Sequence, residues 1–129
     1  MEIHIKTIAH KDQRYETVGD YWYDDLGILQ VRVSGMGDPF YETMVVIHEL
    51  IEEALTKKRG LSEPEIMDFD IAFEKARALG LKTKESEPGF DENAPYLKEH
   101  TFATSVEMGM CALSGVSWNE YDRTVNAIE

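Results

Sequence analysis

The chain has 129 residues, 43% of them hydrophobic, and a net charge of −12 from 25 acidic and 13 basic side chains. That length and apolar content suit one domain over 1–129 and exclude general disorder. The acidic balance excludes nucleic acid or an anionic membrane as the main partner, since phosphate binding needs a basic face.

Taken generally, the negative surface reads as a solubility device that also favours cations. Cys111 is the one cysteine, so neither an intramolecular disulfide nor a Cys-based zinc site can form. The opening residues Met-Glu-Ile-His-Ile-Lys carry no signal-peptide apolar region, and no apolar run approaches a membrane span. A cytoplasmic protein without a membrane partner is the expectation.

Glu2 to Ile8 alternates in part and predicts a first strand. His10 to Glu16 is polar and reads as a loop. Asp20–Tyr23 and Ile28–Val33 are rich in aromatic and β-branched residues, with Asp24-Asp25-Leu26-Gly27 as a turn between them, which predicts a hairpin. Ser34 to Pro39 breaks the pattern; its two glycines lack the spacing and the lysine of a phosphate loop. A first helix is predicted from Phe40 to Lys58. A second follows the Ser62 cap, with Pro64 and Glu65 in its first turn, and ends near Leu79 and Gly80. Lys82 to Ala94 is a polar loop long enough to flank a site. A third helix runs from Pro95 to Leu113 or Ser114, and after Gly115 a short one runs from Trp118 to Ile128 under a Ser117 cap. Strands first and helices afterwards predict α+β: a small antiparallel sheet of about three strands, then three to four packed helices.

The first helix contains His48-Glu49-Leu50-Ile51-Glu52-Glu53. His48 and Glu52 stand one turn apart on one face, shared in this reading with Tyr41, Met44, Val45, Ile51 and Leu55. Titratable groups therefore occupy places where a simple core would carry leucines, and burying them without partners is costly. The same holds on the other two long helices. Asp70 falls between Ile66 and Phe73, His100 between Tyr96 and Ala103, and Glu107 between Ala103 and Met110. Five such groups on three helices either form a metal-free polar network or surround a cation. Two imidazoles with carboxylates and no thiolate suit Zn²⁺ first, and Fe²⁺ or Mn²⁺ next, better than Ca²⁺ or Mg²⁺. His48, Glu52 and His100 are the leading ligands, with Asp70 or Glu107 assisting. His4 is a remote candidate, Glu53 is expected in solvent and Cys111 in the core. Tyr21, Trp22 and Tyr23 are expected to pack the helices on one side and face water on the other.

His48-Glu49-Leu50-Ile51-Glu52 resembles the HExxH helix of zinc-dependent metallopeptidases, the zincins, and the preceding strand hairpin is similar as well. The resemblance implies a zincin-like core. It also implies a zinc ligand at His48, a water-activating Glu49, and a further ligand from a later helix. Glu52 stands where that family has its second histidine. A carboxylate there adds negative charge, weakens the Lewis acid and favours harder divalent ions. There is also a general likeness to small uncharacterised phage and prophage proteins with a similar His-Glu helix, which implies no activity.

Two functions follow. One is a metal-dependent hydrolase in which Glu49 takes the proton of an activated water, acting on an amide or similar bond of an unknown small-molecule or peptide substrate. The other is a non-catalytic accessory or binding protein of phage type, whose His/carboxylate cluster ties the helices together with or without metal. The acidic surface with exposed aromatics leaves a homodimer open.

Overall fold

In a computed structural model, which describes residues 1–128, three strands come first and the long helices follow. The strands are β1 (Ile3–Ile8), β2 (Gly19–Tyr23) and β3 (Leu29–Ser34). The helices are α1 (Pro39–Arg59), α2 (Glu63–Ala78), α3 (Leu97–Ser114) and α4 (Trp118–Asn126). The α+β class stands.

The sheet is mixed, which corrects the antiparallel expectation. Its order is β1-β3-β2, with β3 parallel to β1 and antiparallel to β2. The reason lies in the connection after β1. The chain crosses beyond the end of the sheet and returns as β2 two strand positions away, leaving one position open between them. The tight β2–β3 hairpin then inserts β3 into the gap, where it must run alongside β1 in the same direction. His10 and Gln13 in this connection fasten to the Ser34 hydroxyl at the end of β3, at 2.8 and 3.1 Å. Alternation along β3 sends Leu29, Val31 and Val33 into the core, the two valines fully buried.

Each helix begins and ends where its local chemistry dictates. Asp38 caps α1, accepting from the amides of Phe40 and Tyr41 at 3.0 and 3.2 Å, and Pro39 takes the first turn. Gly60 ends it in the left-handed conformation at φ 84°. Ser62 and Glu65 form a reciprocal capping box on α2. Ser117 caps α4.

α1 lies between the sheet and α3. Its buried seam is Met44, Val45, His48, Glu49, Glu52, Glu53 and Thr56. Ile51 is only half-buried and Leu55 is 39% exposed, so the seam is rotated toward Glu49 and Glu53 relative to the apolar stripe. Glu53 is therefore buried rather than solvated, and it accepts from the Tyr23 hydroxyl. α2 buries Ile66, Asp70 and Phe73, as expected of it, whereas α3 buries Glu99, Ala103, Glu107 and Cys111 and leaves His100, Val106 and Met110 half-buried, a face turned slightly from the expected stripe. Cys111 packs on Met44, sulfur to sulfur 3.9 Å. Tyr21 enters the core, Trp22 lies under the Arg14 guanidinium at 4.2 Å, and Tyr23 is exposed.

Between α2 and α3, residues 79–96 form a covering segment with one 3-10 turn at Pro88–Phe90. Arg77 donates to the carbonyl oxygens of Lys84, at 3.0 Å, and Ser86, and Lys82 pairs with Asp91 at 2.8 Å. No described helix is long and apolar enough to cross a membrane.

Candidate metal centre

Helix periodicity sets His48 and Glu52 one turn apart on α1, and the packing of α3 on α1 brings His100 to them. Glu52 Oε2 lies 3.0 Å from His48 Nε2 and 2.6 Å from His100 Nδ1, and the two ring nitrogens are 3.1 Å apart. The rings meet edge to face, centroids 4.7 Å apart. These three side chains can offer ligand atoms within 4.8 Å of one another, so the cluster can hold a metal ion. The ligand atoms of a tetrahedral ion with bonds of about 2.0–2.1 Å stand roughly 3.3 Å apart. The observed separations of 2.6, 3.0 and 3.1 Å are hydrogen-bond contacts that would open by up to about 0.7 Å to admit such an ion, and the donor types suit it.

The other ring nitrogens carry the stronger argument. His48 Nδ1 is bonded to Glu107 Oε1, and His100 Nε2 faces Glu87 Oε2 at 3.3 Å. An ionised carboxylate only accepts, so each outer nitrogen carries the hydrogen. Neutral rings then turn lone pairs inward, at each other and at Glu52. Three acceptors facing one another at these distances repel unless a cation lies among them. A carboxylate behind each imidazole is also how metal-binding histidines are held and made more basic. Tyr121 donates to the second oxygen of Glu107.

The electrostatics express the same demand. Burial opposes charge on both rings, but Glu52 and Glu107 raise His48 well above its usual 6.5, and Glu52 and Glu87 raise His100 to about 9. Burial likewise opposes charge on Glu52, yet the two imidazoles lower it to about 2. In effect the cluster binds protons where it would bind a metal.

Glu49 is buried next to this group and has no hydrogen-bond partner among the described residues. Its side chain lies against Gly19 so closely that a Cβ there would collide with it. Burial pushes its carboxyl well above the ordinary range, and Glu52 adds to that. Glu49, the cluster and Asp70 border one cavity of about 230 Å³, together with Tyr15, Ile66, Phe90 and Trp118.

Asp70 does not join the cluster. Its carboxylate accepts from the hydroxyls of Tyr15, at 3.1 Å, and Tyr96. Burial raises it to about 7 against the pull of those two bonds. Glu107 stands one bond behind His48 rather than beside Glu52. His4 is exposed on β1, 3.4 Å from the Gln30 amide. Sequence reasoning did not reach Glu87, Tyr121 or Gly89. A Cβ at Gly89 would run into the His100 ring, so glycine lets the covering segment close on it. Only the Pro-Gly turn within the loop hinted at this. Comparison of the chain with protein-family models, with curated proteins and with solved structures finds no match.

Proposed function

We propose that this protein binds one divalent metal ion, zinc in the first instance, through His48 Nε2, His100 Nδ1 and a Glu52 oxygen, and that it is a metal-dependent hydrolase of a small substrate. The observation that carries the reading is the convergence of three acceptor atoms from three side chains, with both histidines held from behind by carboxylates. With three protein ligands and a cavity beside them, the centre has the character of a catalytic rather than a closed structural site. A divalent ion there supplies Lewis acidity and makes a bound water acidic near neutral pH.

The chain's own residues do the rest. Glu107 and Glu87 fix the ring tautomers and hold the inner nitrogens toward Glu52. Glu49 is the group placed to accept a proton within the cavity, because its oxygens are not engaged elsewhere and burial gives it the affinity a general base needs. This matches the role that the zincin resemblance implies for it. Tyr15, Phe90 and Trp118 give the cavity beside the cluster an aromatic border.

The test is metal content by elemental mass spectrometry on untagged protein purified without chelator, beside His48→Ala and His100→Ala. Near-stoichiometric zinc, iron or manganese in the wild type, lost in both variants, is expected. No metal after reconstitution would sink the proposal. Hydrolysis is then checked with Glu49→Gln, which should lose activity and keep its metal.

A second reading has its own support. Protonated on both rings, the cluster closes on itself as a network of imidazolium and carboxylate groups that ties α1, α3 and the covering segment together. A wild type that carries no metal and is destabilised by His48→Ala would establish it.

A further inference from the structure

Some carboxylates drawn into this fold are met by a cationic side chain. Asp20 is held by Arg14 at 2.7 and 3.0 Å, Glu99 by Arg59 at 2.6 and 3.2 Å, and Asp91 by Lys82 at 2.8 Å. Asp70 and Glu49, both on the cavity wall, are not. Asp70 is 7% exposed, and its partners are two neutral tyrosine hydroxyls. Glu49 is 9% exposed with no hydrogen-bond partner among the described residues, and it borders the same space. The basic residues nearby are already engaged or at the rim. Arg14 is shared by Asp20 and Glu63; Arg77 gives its terminal nitrogens to two carbonyls and to Glu74, while its buried Nε has no partner among the described residues, and it is not among the groups that act on Asp70; Lys84 is exposed.

Uncompensated buried charge is expensive, and the low dielectric that makes it so also makes a matching charge bind well. A bare ion does not fit the need. Among the described residues, the one group of three or more ligand side chains whose atoms all lie within 4.8 Å of one another is His48, Glu52 and His100, without Asp70 or Glu49. The missing cation is therefore larger than an ion. Each Asp70 oxygen takes one hydroxyl and keeps a lone pair, so the two tyrosines fix a ready-made acceptor. Aromatic rings of Tyr15, Tyr96, Phe90 and Trp118 and the apolar Ile66 border the space, a lining that suits a cation on a short aliphatic body.

We propose that the cavity takes a small organic cation, its ammonium or guanidinium end on Asp70 and its uncharged end toward the His48–Glu52–His100 cluster. This rests on the reading of that cavity as the working site, and it gives that site a substrate class: cationic amides or esters of a size suited to about 230 Å³. Asp70 is the specificity-determining residue, and Glu49 stays with the chemistry.

The experiment is an amide NMR titration of the full chain with n-butylguanidinium and with its neutral isostere n-butylurea, with metal content measured on the same samples. Butylguanidinium is expected to shift the amides around Tyr15, Asp70 and Tyr96 saturably, with butylurea at least about tenfold weaker. Asp70→Asn should bring the two to parity. Intermolecular NOEs from the butyl chain to the Tyr15 and Tyr96 rings of the wild type decide the matter should that variant fail to fold. Equal or stronger binding of butylurea, binding of neither probe, or a preference that survives Asp70→Asn would overturn the proposal. A guanidinium preference in a chain that holds no metal would leave this inference standing and remove the metal reading. Bound metal without the preference would do the reverse.

Discussion

Two histidine–carboxylate groups in this molecule look alike on paper, and they teach opposite lessons. In one, His10 lies between the Ser34 hydroxyl and Glu16, at 2.8 Å from each. Gln13 donates to Ser34, so the hydroxyl gives its hydrogen to Nδ1 and the ring gives its own to Glu16. Both ring nitrogens of His10 find a partner with the imidazole neutral, and the one group left over is the buried Gln13 Oε1, which does not face the ring nitrogens. In the other, His48 and His100 give their outer hydrogens to Glu107 and Glu87, which leaves the inner nitrogens facing each other and Glu52. Proximity of histidine and carboxylate is common to both. What makes the second a candidate cation site is that its neutral form cannot satisfy itself.

The comparison breaks or sharpens under substitution. The largest effect is expected for Glu52→Ala, which removes a ligand atom; metal affinity should fall by more than the 10–100-fold typical of an outer partner. Glu107→Ala should fall within about 10–100-fold, whereas Glu16→Ala should leave metal affinity unchanged; competition against a chelating dye measures all three. Equal losses in Glu16→Ala and Glu107→Ala would erase the distinction. Gly89→Ala comes next: its methyl collides with the His100 ring, so metal binding should weaken. Gly35→Ala, whose new atom would sit 3.5 Å from the Thr7 side chain, should be tolerated.

The pH profile sharpens it further. Asp70 titrates at about 7 in the fold against 3.8 in the open chain, chiefly through burial. The folded state thus binds this proton more tightly, and the contribution is present below 3.8 and lost as pH rises through 7. Thermal melts of Asp70→Asn should therefore fall less than those of the wild type between about pH 4 and pH 8. The smallest effect is expected for Ser34→Ala, which strips His10 of one partner. It should cost about 1–3 kcal/mol in denaturant melts and nothing in metal content.

Much of this was legible beforehand. The caps at Ser62 and Ser117 and the stops at Gly60 and Gly115 follow from local chemistry, and they lie where that chemistry puts them. His48, Glu52 and His100 could be named because they interrupt apolar periodicity, and the fold brings them together. What misled was the assumption that apolar residues mark the inner face of α1. Ile51 and Leu55 drew the face one way, while the seam under the sheet is polar and reaches Glu49 and Glu53. Parallel pairing of β1 with β3 depends on where a connection lands whose one regular piece is a 3-10 turn at His10–Asp12, which no local pattern encodes. Glu87 and Tyr121 serve the site from a loop and a short helix, outside any periodic stripe.

Arg77 has a kinetic meaning. It sits in the last turns of α2 and grips the covering segment by two backbone carbonyls, at Lys84 and Ser86, just ahead of Glu87 and Gly89. Helix ends fray faster than a domain unfolds. Each loosening of that final turn slackens the cover over His100 without disturbing α1 or the sheet. In the proposed metal-bound form, the rate at which a chelator strips the centre is expected to depend on the end of α2. Arg77→Ala should hasten that release while leaving affinity close to that of the wild type.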